Sequence, residues 1–245
     1  MKNRWFRLSI SAIATALLMF MLIVMTPDEN PPRLFVMLGG TMPEGLIQGF
    51  TYFLFIWGMF EIMVIKSRLS VEEDAFVGHL LPEKENYIIS AEDANQLKLN
   101  MQQVEHTQKF YLTDLIKKAC TKYRLSKSSS EVLALTDAQI KLYNAEIENE
   151  QTYINYISWA IPSVGFIGTV LGIAASLGYA NEASTPEGIA KVTGMLAVAF
   201  DTTLVALVLS IMLMYQIHSL HKQQDELFTK MNNYIIENLV NRFYK

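Results

Sequence analysis

Hydrophobic positions along this 245-residue chain gather into four runs: Leu8 to Met25, Leu46 to Ile65, Ile157 to Ala180 and Gly194 to Ile217. Each is about as long as an α-helix must be to cross a bilayer. The first run follows Lys2, Arg4 and Arg7 and ends in Met25-Thr26-Pro27. A cleavable signal peptide has a shorter apolar core and a small-residue cleavage site, so this run reads as a membrane span. Residues 26–45, with Pro27, Pro31, Pro32, Gly39, Gly40 and Pro43 among mixed charges, predict an irregular connector. Glu61 lies one turn from the end of the second run and is expected to snorkel to the interface or to meet Lys66 or Arg68.

The polar stretch from Lys66 to Tyr156 has helical rather than alternating periodicity. Ala91 to Tyr123 predicts one helix with Ser90 as its N-cap and Leu97, Met101, Val104, Phe110, Leu112 and Leu115 facing a core. Leu80-Leu81-Pro82 and the charges after it predict a loop, and Ser126 to Ser130 predicts the break. A second helix from Glu131 carries Leu135, Ile140, Leu142, Ile147 and Ile154 into the third run without a Gly or Pro, giving a helical hairpin coupled to the membrane. Glu146, Glu148 and Glu150 read as a solvated face. Asn181 to Lys191 predicts a short turn, and the fourth run continues beyond His218 as an amphipathic helix through Leu220, Leu227, Met231, Tyr234, Ile235 and Leu239. Lys2, Arg4, Arg7, Lys66, Arg68 and Lys222 mark one side of the membrane, while the opposite loops hold Arg33 and Lys191. Both termini and the large loop are therefore expected in the cytoplasm.

Composition narrows the class. With 51% hydrophobic and 18% charged residues, the chain is too apolar for an ordinary soluble domain. The expected fold is an all-α polytopic membrane protein with four transmembrane helices, a cytoplasmic helical hairpin and a helical C-terminal tail. Its parts are residues 1–65 (two spans and the connector), 66–156 (cytoplasmic loop), 157–217 (two spans) and 218–245 (tail). A net charge of −4 gives no basic signature for nucleic acid. Cys120 is alone, and His218 and His221 lack the Cys or acidic residues that would complete a metal site. No nucleophile and base pair, metal cluster or phosphate loop points to an enzyme, and no cofactor is expected.

The third run carries chemistry of its own. On one helix, Ser158, Pro162, Gly165, Thr169, Gly172 and Ser176 fall within about 40° of a single line. Ile161, Val164, Phe166, Ile167, Val170 and Leu171 cover the other faces. The fourth run has a matching stripe of Ala199, Thr203, Ala206 and Ser210, and antiparallel packing puts Thr169 and Thr203 at one depth. Small residues admit a second backbone, and hydroxyls in hydrocarbon need a partner or water. Close helix packing and ion or proton handling both fit the stripes. Asp201 is a carboxylate inside a span, and it must be paired, hydrated or protonated. It lies about 160° around the helix from Thr203, so an ion-handling role and a structural bond to a hydroxyl or a neighbouring subunit both stay open.

Trp159-Ala-Ile-Pro-Ser-Val-Gly-Phe-Ile-Gly-Thr-Val-Leu-Gly-Ile173 resembles the signature helix of the MotA/TolQ/ExbB proton-channel family, and Ala199 to Ser210 is similar to that family's last membrane helix. The resemblance is specific over residues 157–217, and the four-span plan looks more like the flagellar-stator branch than the three-span one. Asp201 departs from the family patterns. The resemblance implies a homopentamer in the bacterial inner membrane around two copies of a MotB/ExbD/TolR-like single-span partner that supplies the ion-carrying Asp. The translocated ion would be H⁺ or Na⁺. It further implies that Thr169, Thr203, Gly165, Gly172, Ser176 and Ala206 line the pathway; Asp201 is a candidate pathway residue by its place in the span, and Pro162, lacking an N–H, is the expected hinge. The rival readings are a self-contained channel or transporter that uses Asp201 and a structural tetraspan scaffold.

Overall fold

Fifty consecutive residues, Ser129–Gly178, form one helix, about 75 Å long against a hydrocarbon core of about 30 Å. It is one of seven α-helices among the residues described by the computed structural model, which are 2–27, 31–43, 45–82 and 88–243. In order they are α1 (Lys2–Met25), α2 (Arg33–Met37), α3 (Leu46–Glu73), α4 (Ala91–Thr107), α5 (Tyr111–Ser126), α6 (Ser129–Gly178) and α7 (Pro186–Asn238). Helices α1, α3, α6 and α7 are long and apolar enough to cross a membrane, and no strand occurs among the described residues. The fold is thus the expected all-α, four-span one. The charges expected in the loop after Pro82 fall at 83–87, outside the described residues. The chain forms two compact units, residues 1–63 with 152–218 and residues 64–151 with 219–245.

In the first unit α6 and α7 run antiparallel with their small residues in contact, while Ile157, Ile161, Leu213 and Ile217 are buried around them. Gly58 lets α3 join: a Cβ there would stand 3.1 Å from Leu213 and 3.3 Å from Ile157. Helix α1 is fastened to α3 by a buried charge. Glu61 is 4% exposed and receives hydrogen bonds from Arg7 Nε (3.1 Å) and Nη2 (2.9 Å) and from Trp57 Nε1 (3.2 Å), with Arg4 3.7 Å away. This corrects the expected partners of Glu61, because it points inward at α1 rather than along its own helix. Lys66 instead bonds Ser219, and Arg68 bonds Glu150. The buried hydroxyls of Ser11 and Thr15 donate back to the carbonyls four residues earlier, which satisfies them within α1.

Helix α7 begins at Pro186, two turns before the expected Gly194. Proline suits the first helical position, and Thr185 caps the helix by accepting from the Gly188 N–H at 3.0 Å. Between α1 and α3 the connector is not wholly irregular, since α2 lies within it. It turns at Gly39, whose φ of +90° favours glycine, and the Tyr52 hydroxyl donates to the Leu38 carbonyl.

In the second unit the single helix expected over 91–123 is two helices. Gln108 and Phe110 adopt extended backbone between α4 and α5. No Gly or Pro breaks the chain there. The break is held by the Thr113 hydroxyl, which accepts from the Phe110 N–H (3.3 Å) and lies 2.9 Å from the Phe110 carbonyl, by the Tyr111 N–H donating to Glu72 (2.7 Å), and by Lys117 reaching back to Glu105 (2.7 Å). Ser90 and Asp93 form a capping box at the start of α4 as expected. Lys127, in the left-handed region at φ 51°, ends α5, so the break falls inside the expected serine-rich stretch. Leu112, Leu115, Ile116, Ala119 and Cys120 of α5 are buried, as are Leu220, Leu227, Met231, Ile235 and Leu239 of the amphipathic continuation of α7 and its end. Burial pushes the Cys120 thiol up to about 12, so it is an unreactive packing group. The chain end is fastened too: Phe243 stacks on Tyr123 at 3.7 Å between ring centres, and the Ile89 N–H donates to the Arg242 carbonyl.

Asp114 gives this unit a pH dependence. Burial pushes its carboxyl up, but hydrogen bonds from Lys118, Tyr143 and Lys117 outweigh that and hold it below its ordinary value. A carboxyl with a depressed folded pKa stabilises above its unfolded value, about 3.9, and that contribution is lost as pH falls through the folded value. Asp114→Asn is therefore expected to lower the thermal midpoint at pH 7 and to make progressively less difference below pH 4. A midpoint difference that stays constant to pH 3 would contradict the assignment.

Candidate ion pathway

Three glycines on α6 let α7 approach at backbone distance. A Cβ at Gly165 would stand 2.4 Å from Ala206 Cβ, one at Gly168 2.4 Å from Thr202 Oγ1, and one at Gly172 2.6 Å from Ala199 Cβ. The two small stripes thus face each other within one chain, with Gly165, Gly172, Ala199 and Ala206 buried in the seam. Apolar side chains on the outer faces, among them Phe166, Val170, Leu171, Leu204 and Val208, are exposed in the single chain.

Thr169 and Thr203 meet in this seam. Their hydroxyls hydrogen-bond to each other; Thr169 Oγ1 also lies 3.1 Å from the Ala199 carbonyl and Thr203 Oγ1 3.1 Å from the Gly165 carbonyl. Two hydroxyls and two main-chain carbonyls therefore cluster at one level, and the residues are half-buried. A hydroxyl has one proton and two lone pairs, so each threonine can reverse its role between donor and acceptor. Such a cluster can present oxygen to a partly dehydrated cation or order a water. Ser176, further along the seam and buried, donates to the Val192 carbonyl at 3.0 Å. Ser158 donates to the Asn155 carbonyl at 2.8 Å. Pro162 lies inside α6, which stays helical on both sides of it. Its missing N–H still leaves one intrahelical bond unmade.

Asp201 stands apart from this cluster. It is 4% exposed, and Arg33 of α2 clasps it with both guanidinium ends, Nη1 to Oδ2 at 2.5 Å and Nη2 to Oδ1 at 2.7 Å. That partner lies 168 positions away, and the signal the sequence offers is that Arg33 is one of two basic residues in the stretches joining the first apolar run to the second and the third to the fourth. Thr202 lies outside the small-residue stripe, so spacing does not single it out. It is 1% exposed, fills the space left by Gly168 and donates to the Ala199 carbonyl at 2.9 Å.

His221 pairs with Gln151 at 2.9 Å, and no group of three or more His, Cys, Asp or Glu side chains suited to a metal occurs among the described residues. Compared with known proteins, residues 106–233 match the model of the MotA/TolQ/ExbB proton channel family. No curated protein and no solved structure gives a significant match. The matched segment spans more than half of the chain, from the end of α4 through α5, α6 and most of α7, and it includes the whole seam. It is a family of ion channels rather than of enzymes. The chain is a multi-pass membrane protein and belongs to the MotA/TolQ/ExbB proton channel family.

Proposed function

We propose that this chain is the ring subunit of a stator-type rotary complex in the bacterial inner membrane, five copies enclosing two copies of a MotB/ExbD/TolR-like single-span partner. The observation that carries the reading is the Thr169 and Thr203 pair. It brings hydroxyl oxygens from α6 and α7 together with two carbonyls, yet the small stripes contain no carboxylate of their own. The one carboxylate at this depth of α7, Asp201, is occupied by Arg33. In this reading the carboxyl that carries the ion comes from the partner's single span, which agrees with the absence of a free carboxylate from the stripes.

In this mechanism H⁺ or Na⁺ from the outer side neutralises the partner's carboxylate beside the threonine pair of one subunit. The neutral carboxyl leaves that subunit and re-engages at the next, so the ring steps around its core. Gly165, Gly172, Ser176 and Ala206 keep the two helices close enough to hold the pair, and Pro162 supplies a bending point. No cofactor takes part. Both chain termini lie in the cytoplasm in this orientation, in keeping with the distribution of Lys and Arg.

Native mass spectrometry of the detergent-purified chain, co-expressed with a candidate single-span protein of the MotB/ExbD/TolR type, tests the assembly. Five copies with two of the partner are expected. A monomer or dimer that retains no partner would sink the rotary reading.

A further inference from the structure

We infer that Asp201 is a latent cation-binding carboxylate and that Arg33 is its built-in counter-ion, closing the site to the ions that pass the threonine pair. The inference rests on the ion-conducting reading only for the identity of those ions. Asp201 precedes Thr203 by two residues, so it lies within about 3 Å of the same depth along α7, on a different face. A carboxylate at that depth is the strongest cation ligand the seam region offers. Both of its oxygens are taken, at 2.5 and 2.7 Å, by the two ends of one guanidinium. This fork geometry leaves no open coordination direction toward the arginine side.

The burial pattern sets the direction of access. The Asp201 side chain is 6% exposed, whereas that of Arg33 is 60% exposed. In the single chain the open side of the pair is therefore the guanidinium and not the carboxylate, and a cation approaching from that side meets a like charge first. Arg33 belongs to the five-residue helix α2, whose C-terminal side is tied down by the Gly40 N–H bonding the Phe35 carbonyl at 2.8 Å and by the Tyr52 hydroxyl on the Leu38 carbonyl. The connector thus holds the counter-ion in place, and a mobile ion is not needed to neutralise Asp201. Without Arg33 the carboxylate stays covered by the same helices and must recruit a proton or a metal cation instead. A purely structural brace makes a different prediction: losing either partner weakens the fold, and no new carboxyl chemistry emerges.

The test uses the full-length chain in proteoliposomes, treated with a hydrophobic carbodiimide, which modifies protonated carboxyls in membranes, and analysed by peptide mass spectrometry. Wild-type Asp201 is expected to remain unmodified. Arg33→Gln should raise its modification at least about tenfold, because a covered carboxylate that has lost its counter-charge must be neutralised by another species. Arg33→Lys, which keeps the charge but loses the fork, should fall between the two. Passive cation leak through the Arg33→Gln protein should exceed wild type and return to the wild-type level in Arg33→Gln/Asp201→Asn. Modification of wild-type Asp201, an unmodified Arg33→Gln protein, or no added leak would each overturn the inference. Failure of both Arg33 variants to fold, with no rescue by Asp201→Asn, would mark a brace and overturn it as well. A modified and leaky Arg33→Gln protein whose wild-type complex never conducts would remove the rotary reading and leave the latent site standing.

Discussion

Gly172→Val is expected to abolish the closed α6 and α7 seam and with it the recoverable folded protein. The reason is where the added atoms go. A Cβ at Gly172 would stand 2.6 Å from Ala199 Cβ, 2.8 Å from its Cα and 2.9 Å from its nitrogen. Two of those three atoms are main chain, so no rotamer change relieves the overlap, and α7 must move as a body. Overpacking of a core by a methyl or two costs about 1–3 kcal/mol where side chains can shift, and here they cannot. Gly172→Ala should already lower the thermal midpoint in detergent, and Gly172→Val should yield aggregated or unassembled chain. Gly194→Ala is the control: nothing lies within 4 Å of its Cβ position in α7, so it should be neutral or slightly stabilising. Equal behaviour of Gly172→Ala and Gly194→Ala would show that the close approach is not what holds the helices together.

Thr203→Val and Thr169→Val are expected to leave the protein assembled but to reduce ion-driven activity by about tenfold each, the worth of one hydrogen-bonding group in a desolvated site. Valine matches threonine in shape, so the seam stays filled while its hydroxyl is lost. The Gly165 and Ala199 carbonyls beside the pair already serve their helices, so removing a hydroxyl deletes a ligand without stranding them. Thr203→Ser, which keeps the hydroxyl, should restore most of the activity. The readout is partner-dependent ion flux at matched protein levels. Normal flux in the double valine variant would reduce the pair to packing.

The long-period features of this fold were legible in the sequence, and the reason is visible in particular residues. The stripes on α6 and α7 face each other because helical spacing alone determines which of Gly165, Thr169, Gly172, Thr203 and Ala206 share a face. Continuity of α6 from Ser129 followed from the lack of any Gly or Pro before the third apolar run. Local breaks made by tertiary contacts were not legible. Gln108-Lys109-Phe110 carries no breaker, and it takes Glu72 on α3 to hold the Tyr111 N–H at the turn. Pro186 lies within the stretch 181–191 whose composition predicts a turn, yet it also suits the first residue of a helix, and Thr185 caps that helix. Charge pairs between distant segments were the hardest. Nothing in the spacing joins Arg7 to Glu61 or Arg33 to Asp201, although the need for some partner followed from placing a carboxylate in a span.

The central claim is that the chain builds an ion pathway completed by a carboxyl from another protein. Ion flux in proteoliposomes containing the purified chain, with and without the co-expressed single-span partner, tests it most directly. The account predicts flux only when the partner is present, and loss of that flux when Thr169 and Thr203 are both valine. Flux from the chain alone, abolished by Asp201→Asn, would contradict it and make Asp201 the ion carrier.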